Sequence, residues 1–88
     1  MADQEDKVIR QFDYRRLTRQ CRFPLIVVYC KPTDYPEQYV ARVWDLNQPT
    51  RLVAVAETLD AIREAIPDGM TRIPHTPGDD PCIEEVWI

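Results

Sequence analysis

The clearest pattern along the chain is a series of short apolar runs, separated by polar turns and followed by one amphipathic helical stretch. Residues 25–30 form a continuous apolar, β-branched run between two prolines, which is typical of a buried strand. Residues 38–45 and the valine-rich residues 51–56 predict two further strands, joined by a turn at residues 47–50. Because the connections are short, we expect the three strands to form an antiparallel meander.

A short helix is predicted directly after the third strand. Thr58 is the best N-cap residue in the chain, since its hydroxyl can accept a hydrogen bond from a backbone N–H two or three residues later. Leu59, Ile62 and Ile66 form one apolar stripe, and Pro67 ends the helix after about nine residues. A helix of this length is unstable alone in water, so its stripe should pack on the sheet.

The C-terminal residues predict a last strand. Residues 70–81 hold three prolines and a glycine and are predicted to be irregular. Residues 82–88 are predicted to form an edge strand, on which Glu84 and Glu85 oppose edge-to-edge aggregation. The predicted fold is therefore α+β: an antiparallel sheet of three or four strands with one helix packed on a face, in the order β-β-β-α-β.

Charge divides the chain into two parts. The sequence has 11 basic and 15 acidic residues, a net charge of −4. Residues 1–23 hold six of the basic and four of the acidic residues, which leaves five basic and eleven acidic residues, net −6, in the remainder. We interpret residues 1–22 as a basic N-terminal arm, partly disordered or helical, and residues 23–88 as a single α+β domain. An acidic domain disfavours nonspecific binding of nucleic acid by its own surface.

The basic arm has two interpretations. In the first, it is a solvated lead-in whose aliphatic arginine stems cover the sheet edge. In the second, it contacts phosphate, because arginines beside Phe12 and Tyr14 suit both charge and stacking interactions. The nucleic-acid-binding candidates are Arg10, Arg15, Arg16, Arg19 and Arg22.

Cysteine usage and hydropathy bear on the class of protein. Three cysteines at irregular spacing do not indicate a disulfide framework, and Cys30, which closes an apolar run, is expected to be buried. No apolar run approaches the roughly 20 residues that cross a bilayer. The acidic first residues do not resemble a signal peptide. We therefore expect a cytoplasmic protein without membrane contact.

The sequence offers few residues of the types, and at the spacings, that enzyme catalysis needs. The chain has no serine and one histidine, His75, which lies in a proline-rich stretch where a solvated side chain is the common outcome. Cys82 forms with it the one Cys/His pair that is close in sequence, and Asp79 and Asp80 are paired carboxylates nearby. These residues lack the spacing of known metal sites, so we predict no catalytic residue, no metal ligand and no cofactor. A small metal-dependent enzyme using them remains the least favoured alternative.

Aromatic residues on the predicted strands suggest a binding surface. In residues 38–45 both faces of the strand are half apolar, and one helix can cover only one face of a sheet. An uncovered apolar face indicates a protein partner or a homodimer. The protein-binding candidates are Tyr39, Trp44 and Trp87, because aromatic side chains commonly anchor partner proteins.

A family resemblance rests on two segments, YVARVWDL at residues 39–46 and AETLDAIREAI at residues 56–66. Both are similar to the core of HicB-type antitoxins, and the resemblance covers about residues 25–66, and loosely residues 83–88. It implies a β-β-β-α-β fold and a small toxin ribonuclease as partner, neutralised by an acidic surface. The chain departs from the family at Glu57, where a glycine usually precedes the helix threonine.

Three functions follow from the sequence in order of preference. The first is a small cytoplasmic, non-catalytic protein-binding module similar to HicB-type antitoxin cores. The second is a nucleic-acid-binding accessory protein that uses the arginine-rich arm. The third is the small metal-dependent enzyme.

Overall fold

The computed structural model describes residues 7–74 and 82–88. They form one six-stranded sheet and two short helices, so the α+β class predicted from the sequence is confirmed. In chain order the elements are β1 (Lys7–Ile9), α1 (Tyr14–Gln20), β2 (Pro24–Cys30), β3 (Tyr39–Asp45), β4 (Gln48–Ala56), α2 (Leu59–Arg63), β5 (Arg72–Pro74) and β6 (Ile83–Trp87).

The sheet has the strand order β1-β4-β3-β2-β6-β5. Its centre is the predicted meander, in which β2 pairs antiparallel with β3 and β3 with β4. The predicted count of three or four strands, all antiparallel, is wrong, because β1 adds parallel to β4 and β5 adds beside β6. The helical part expected in the N-terminal arm is present as α1. The two added strands have three residues each, which is too short for an alternating pattern to appear in a sequence.

The described part of the predicted N-terminal arm packs into the domain. Phe12, Leu17 and Cys21 are all buried in the hydrophobic core. The backbone N–H of Phe12 donates to the carbonyl of Ala65 at 3.0 Å, so this segment is hydrogen-bonded to the turn that follows α2. The sequence did not reveal this docking because α1 buries only one of its own residues, Leu17, so no helical repeat of apolar residues exists.

Helix α2 begins as predicted. Thr58 is its N-cap, and the Thr58 hydroxyl accepts a hydrogen bond from the backbone N–H of Ala61 at 3.1 Å. The regular helix ends at Arg63, earlier than predicted, and backbone hydrogen bonds in turn geometry carry the chain on to Ile66. Ile62, Ala65 and Ile66 are buried, so the predicted stripe does pack on the sheet.

The turn between β3 and β4 is tighter than predicted. Asp45 pairs with Gln48, so only Leu46 and Asn47 connect the two strands. Leu46 has φ of 56°, in the left-handed region that branched side chains rarely adopt. Pro49 therefore lies inside β4, where it is tolerated because the register of β1 reaches only Leu52.

Strand β6 is not an edge strand. It lies between β2 and β5, and reciprocal backbone hydrogen bonds between Thr71 and Ile88, at 2.7 and 2.9 Å, extend its pairing with the β5 segment. The prediction of an irregular stretch is therefore wrong for Arg72–Pro74. Glu85 does not protect an edge but is buried, with 2% of its surface exposed.

The two faces of the sheet differ in their cover. Both helices pack on one face, which we call the helix face. On this face the sheet contributes the buried residues Ile26, Val28, Ala41, Val43 and Ala54. Because side chains alternate along a strand, the intervening residues point to the opposite face, which we call the open face. No helix of the described residues covers it.

Candidate protein-binding face

The strand registers define the open face residue by residue. Paired residues of neighbouring strands project on the same side of a sheet, so one row crosses all six strands. The row consists of Val8, Val53, Arg42, Val27, Val86 and Ile73. On either side of it the open face adds Leu25 and Trp44, and Tyr29, Val40 and Val55. Val27, Val40 and Val53 are buried within this face. Its solvent-exposed apolar surface therefore comes from Val8 and Ile73 at the two ends and from the half-buried side chains between them, with Arg42 near the centre.

An aromatic pair covers the middle of this surface. The Trp44 indole N–H donates to the Tyr29 hydroxyl at 3.1 Å. Trp44 of β3 pairs with Leu25 of β2, and Tyr29 lies four residues after Leu25 on β2. The hydrogen bond between Trp44 and Tyr29 therefore passes over Val27, which lies between Leu25 and Tyr29 on that face. Val27 is accordingly buried, while both aromatic side chains stay half-buried. Each ring presents surface to solvent and is held in place by its partner, as at protein-binding sites.

Arg42 supplies the one basic group in the central row. Its Nη1 donates to the Thr50 carbonyl at 2.8 Å, and its Nη2 lies 3.4 Å from Asp34 Oδ2. The Arg42 side chain is 17% exposed, whereas the Asp34 side chain is 56% exposed. The guanidinium is thus held by a carbonyl and a well-hydrated carboxylate. An ion pair with so exposed a carboxylate contributes little to stability.

The other two predicted protein-binding residues lie on the helix face. Tyr39 and Trp87 are half-buried and pack against the core. A hydrogen bond with the Cys30 thiol, together with the charge of that thiol when ionised, raises the pKa of Tyr39. Cys30 itself is half-buried rather than fully buried. Of the three aromatic candidates, only Trp44 belongs to the open face.

Glu85 is a structurally important residue that the sequence analysis missed. It accepts hydrogen bonds from Arg63 Nε at 3.2 Å, Arg63 Nη2 at 2.8 Å and Trp87 Nε1 at 2.6 Å. Burial raises the pKa of Glu85, but the hydrogen bonds from Arg63 and Trp87 and the positive charges of Arg63 and Arg72 outweigh burial. The pKa of Glu85 therefore lies below its ordinary value. Alternation along the last strand was the available signal, since it puts Glu85 and Trp87 on one face.

The five predicted arginine candidates are all exposed. Arg15, Arg16 and Arg19 lie on α1, and Arg22 follows it by two residues. Arg15 and Arg19 lie on the side of α1 opposite Leu17, the residue that contacts the core. Within residues 7–74 and 82–88, none of the five side chains forms an ion pair. Arg16 instead lines a pocket with Lys7 and Leu17, so Arg15, Arg19 and Arg22 are the candidates on the outer side of α1.

Of the predicted metal-enzyme residues, Cys82 lies within the described part of the chain. His75, Asp79 and Asp80 lie outside the described residues. Cys82 lies beside Cys30, and its thiol donates to the Cys30 carbonyl at 3.0 Å. Among the residues that the structure describes, no group of three or more histidine, cysteine, aspartate or glutamate side chains is arranged to hold a metal ion.

Comparison of the chain with family models, with curated proteins and with solved structures finds no significant match. In the described part of the chain, neither helix has the length and apolar character that would span a membrane.

Proposed function

We propose that this chain is a non-catalytic protein-binding module whose partner packs on the open face of the sheet. One observation carries the proposal: both described helices lie on the helix face, while Trp44, Tyr29 and Leu25 on the other face are only half-buried. Apolar sheet faces without cover are typical of interaction sites. At the two ends of the central row, Val8 is 51% and Ile73 39% exposed.

The size of the face sets the size of the interface. Six strands about 4.8 Å apart and about seven residues long span roughly 24 by 23 Å, and the short outer strands reduce this to about 400–500 Å² for each partner. A complex of this kind is at the small end of specific protein–protein interfaces, near about 1,000 Å² in total. The proposed interaction is therefore of the small, transient class.

Charge favours a partner that differs from this chain. Arg42 lies at the centre of the open face, so a second copy packed about a central two-fold axis would bring two guanidinium groups together. A different protein can present a carboxylate there, beside apolar residues that meet the valines and Trp44. The expected partner thus carries an apolar patch with an acidic side chain near its centre.

The resemblance to HicB-type antitoxin cores adds a candidate for that partner. If the proposal extends to the function of that family, the partner is a small toxin ribonuclease. The net charge of −6 on residues 24–88 supports attraction of a basic enzyme. A basic ribonuclease with an apolar, carboxylate-bearing patch would satisfy both the charge of the body and the composition of the open face.

The test compares capture of proteins by three tagged forms of the chain from nuclease-treated lysate. The forms are the natural protein, the double variant Val8→Glu/Ile73→Glu on the open face, and Leu46→Glu, which is 60% exposed and lies in the turn after β3. A captured protein is then purified and its binding to each form is measured by calorimetry. All three substituted positions are exposed, so folding should be retained.

We expect the natural protein and Leu46→Glu to bind the purified partner equally, and the double variant to lose at least about tenfold in affinity. Equal binding by all three forms would overturn the assignment of the open face. Sedimentation of the natural protein alone is the second arm. If the natural protein is a dimer and the double variant is a monomer, the open face is an interface, but its partner is a second copy of this chain rather than a different protein.

A further inference from the structure

A second surface, separate from the open face, combines exposed arginines with exposed aromatic rings. We define it as the arginine–aromatic surface, made of Tyr14, Arg15, Arg19, Arg22 and Phe23. Tyr14 is 46% and Phe23 54% exposed, although both are large apolar side chains in a small domain. The surface lies on and directly after α1, on the helix side of the sheet, so nothing in the proposed protein-binding function uses it.

The charge in the first turn of α1 works against the helix that carries it. No acidic residue lies in its first turn, where the helix dipole favours negative charge, and Arg15 lies there instead. Arg15 and Arg19 are also four residues apart, a spacing at which like charges repel. Arg19 lies in the last turn, where positive charge suits the dipole, so Arg15 is the unfavourably placed charge. Residues that break such local rules without structural gain are expected at functional positions.

No acidic side chain of the described residues neutralises these charges. The ion pairs between described side chains involve Arg42, Arg63 and Arg72, which lie elsewhere in the fold. The Asp13 carboxylate accepts from the backbone N–H of Arg15 as the N-cap of α1 rather than from a guanidinium group. The outer side of α1 is thus a concentrated positive patch on a protein whose net charge is −4.

The aromatic rings border this patch in a shallow pocket. The pocket is lined by Tyr14, Thr18, Arg22, Phe23 and Ile88, together with Pro24 and Thr71. Tyr14 and Thr18 are one helical turn apart and face the same side of α1, and Arg22 follows in the same direction. A flat group that entered the pocket would contact ring surfaces while the arginines stayed beside it.

We propose that the arginine–aromatic surface binds single-stranded nucleic acid. Phosphates would pair with Arg15, Arg19 and Arg22, and an unstacked base would lie against Phe23 or Tyr14, the combination by which proteins hold single strands without reading sequence. An acidic peptide would use the arginines but has no need of exposed rings. A duplex keeps its bases stacked and cannot offer them to the pocket.

The experiment measures fluorescence anisotropy of labelled oligonucleotides of about 12 nucleotides with the full-length protein. The probes are uridine RNA, thymidine DNA and a DNA duplex of the same length, each at salt concentrations between about 50 and 200 mM. The variant Arg15→Gln/Arg19→Gln is compared with Lys31→Gln/Arg51→Gln, which removes the same charge from exposed positions elsewhere. Phe23→Ala is compared with Pro36→Ala, an exposed apolar position in the connection between β2 and β3. Circular dichroism verifies that each variant is folded.

We expect single strands to bind more tightly than the duplex. The Arg15→Gln/Arg19→Gln variant should weaken binding at least about tenfold and reduce the slope of log affinity against log salt by about 1.4, since each phosphate contact contributes about 0.7 for single strands. Phe23→Ala should weaken binding about fivefold or more without changing that slope. Both control variants should bind as the natural protein does.

Three outcomes would overturn the proposal. The first is no binding of either single strand at low salt. The second is equal loss in the arginine variant and its charge-matched control, which would make the effect one of net charge. The third is full displacement of the oligonucleotide by polyglutamate together with an unchanged Phe23→Ala variant, which would identify an acidic-peptide surface. A difference in affinity between the uridine RNA and the thymidine DNA shows which nucleic acid the surface prefers.

Discussion

Arg63 of α2 and Glu85 of β6 form two parallel hydrogen bonds, Nη2 to Oε1 at 2.8 Å and Nε to Oε2 at 3.2 Å. The contact joins the second helix to an interior strand between residues that are 22 positions apart in sequence. Glu85 also accepts from Trp87, and Arg72 Nη1 lies 4.0 Å away. A carboxylate that is 2% exposed is thereby satisfied on every side, as buried charges must be.

Replacing Glu85 by alanine should lower the free energy of unfolding by about 2–4 kcal/mol, because Arg63 and Trp87 both lose their acceptor. The loss stays below that of a fully buried pair because the Arg63 side chain, 36% exposed, can be rehydrated. Urea denaturation at pH 7 measures the change. The neighbouring Glu84→Ala serves as control and should change stability by less than about 1 kcal/mol. Equal effects of the two substitutions would contradict the role assigned to Glu85.

Acid should remove the stabilisation that Glu85 provides. The pKa of Glu85 is lowered on folding, so its contribution is complete above the ordinary glutamate value of 4.5 and is lost as the pH falls through the lower folded value. In Glu85→Gln this component is absent. The difference in unfolding free energy between the natural protein and Glu85→Gln should therefore be constant near neutrality and shrink below pH 4.5. If this free-energy difference grows in acid, the pKa of Glu85 is raised on folding rather than lowered.

The contact between Trp44 and Tyr29 should appear as a coupling energy. Trp44→Phe removes the donor and Tyr29→Phe the acceptor, while both keep a ring over Val27. A double-mutant cycle in urea should give a coupling of about 0.5–1.5 kcal/mol, the value of one hydrogen bond between neutral groups. Strictly additive effects would mean that the two rings are not held together in solution. That result would also weaken the open face as a preorganised surface.

Loss of the Thr58 hydroxyl should destabilise the start of α2. Thr58→Ala removes the acceptor for the Ala61 N–H and should cost about 1 kcal/mol, whereas Thr58→Ser keeps an equivalent hydroxyl and should be close to neutral. Hydrogen exchange of the Ala61 amide is the local measurement and should accelerate only in the alanine variant. Thr33→Ala, at an exposed loop position, controls for the loss of a threonine hydroxyl at the surface. Unchanged exchange in Thr58→Ala would contradict the capping role.

Several features were predictable because they depend on residues close together in the chain. Apolar β-branched residues between Pro24 and Pro32 predicted β2, since such a run suits a pleated strand buried on both faces. Thr58 predicted the start of α2 because capping needs only the next three residues. The mixed apolar pattern of residues 38–45 also indicated that both faces of the sheet are apolar, which is how the open face was anticipated.

Other features depend on residues distant in sequence, and only the tertiary structure decided them. Strands β1 and β5 exist because β4 and β6 offer free backbone hydrogen-bonding edges, and three residues carry no periodic pattern of their own. The burial of Glu85 depends on Arg63 reaching it from α2, which strand alternation alone does not specify. The sequence by itself determined the meander and its helix through local propensity. Long-range pairing decided which face was left open and which charges were buried, because those energies arise only when distant segments meet.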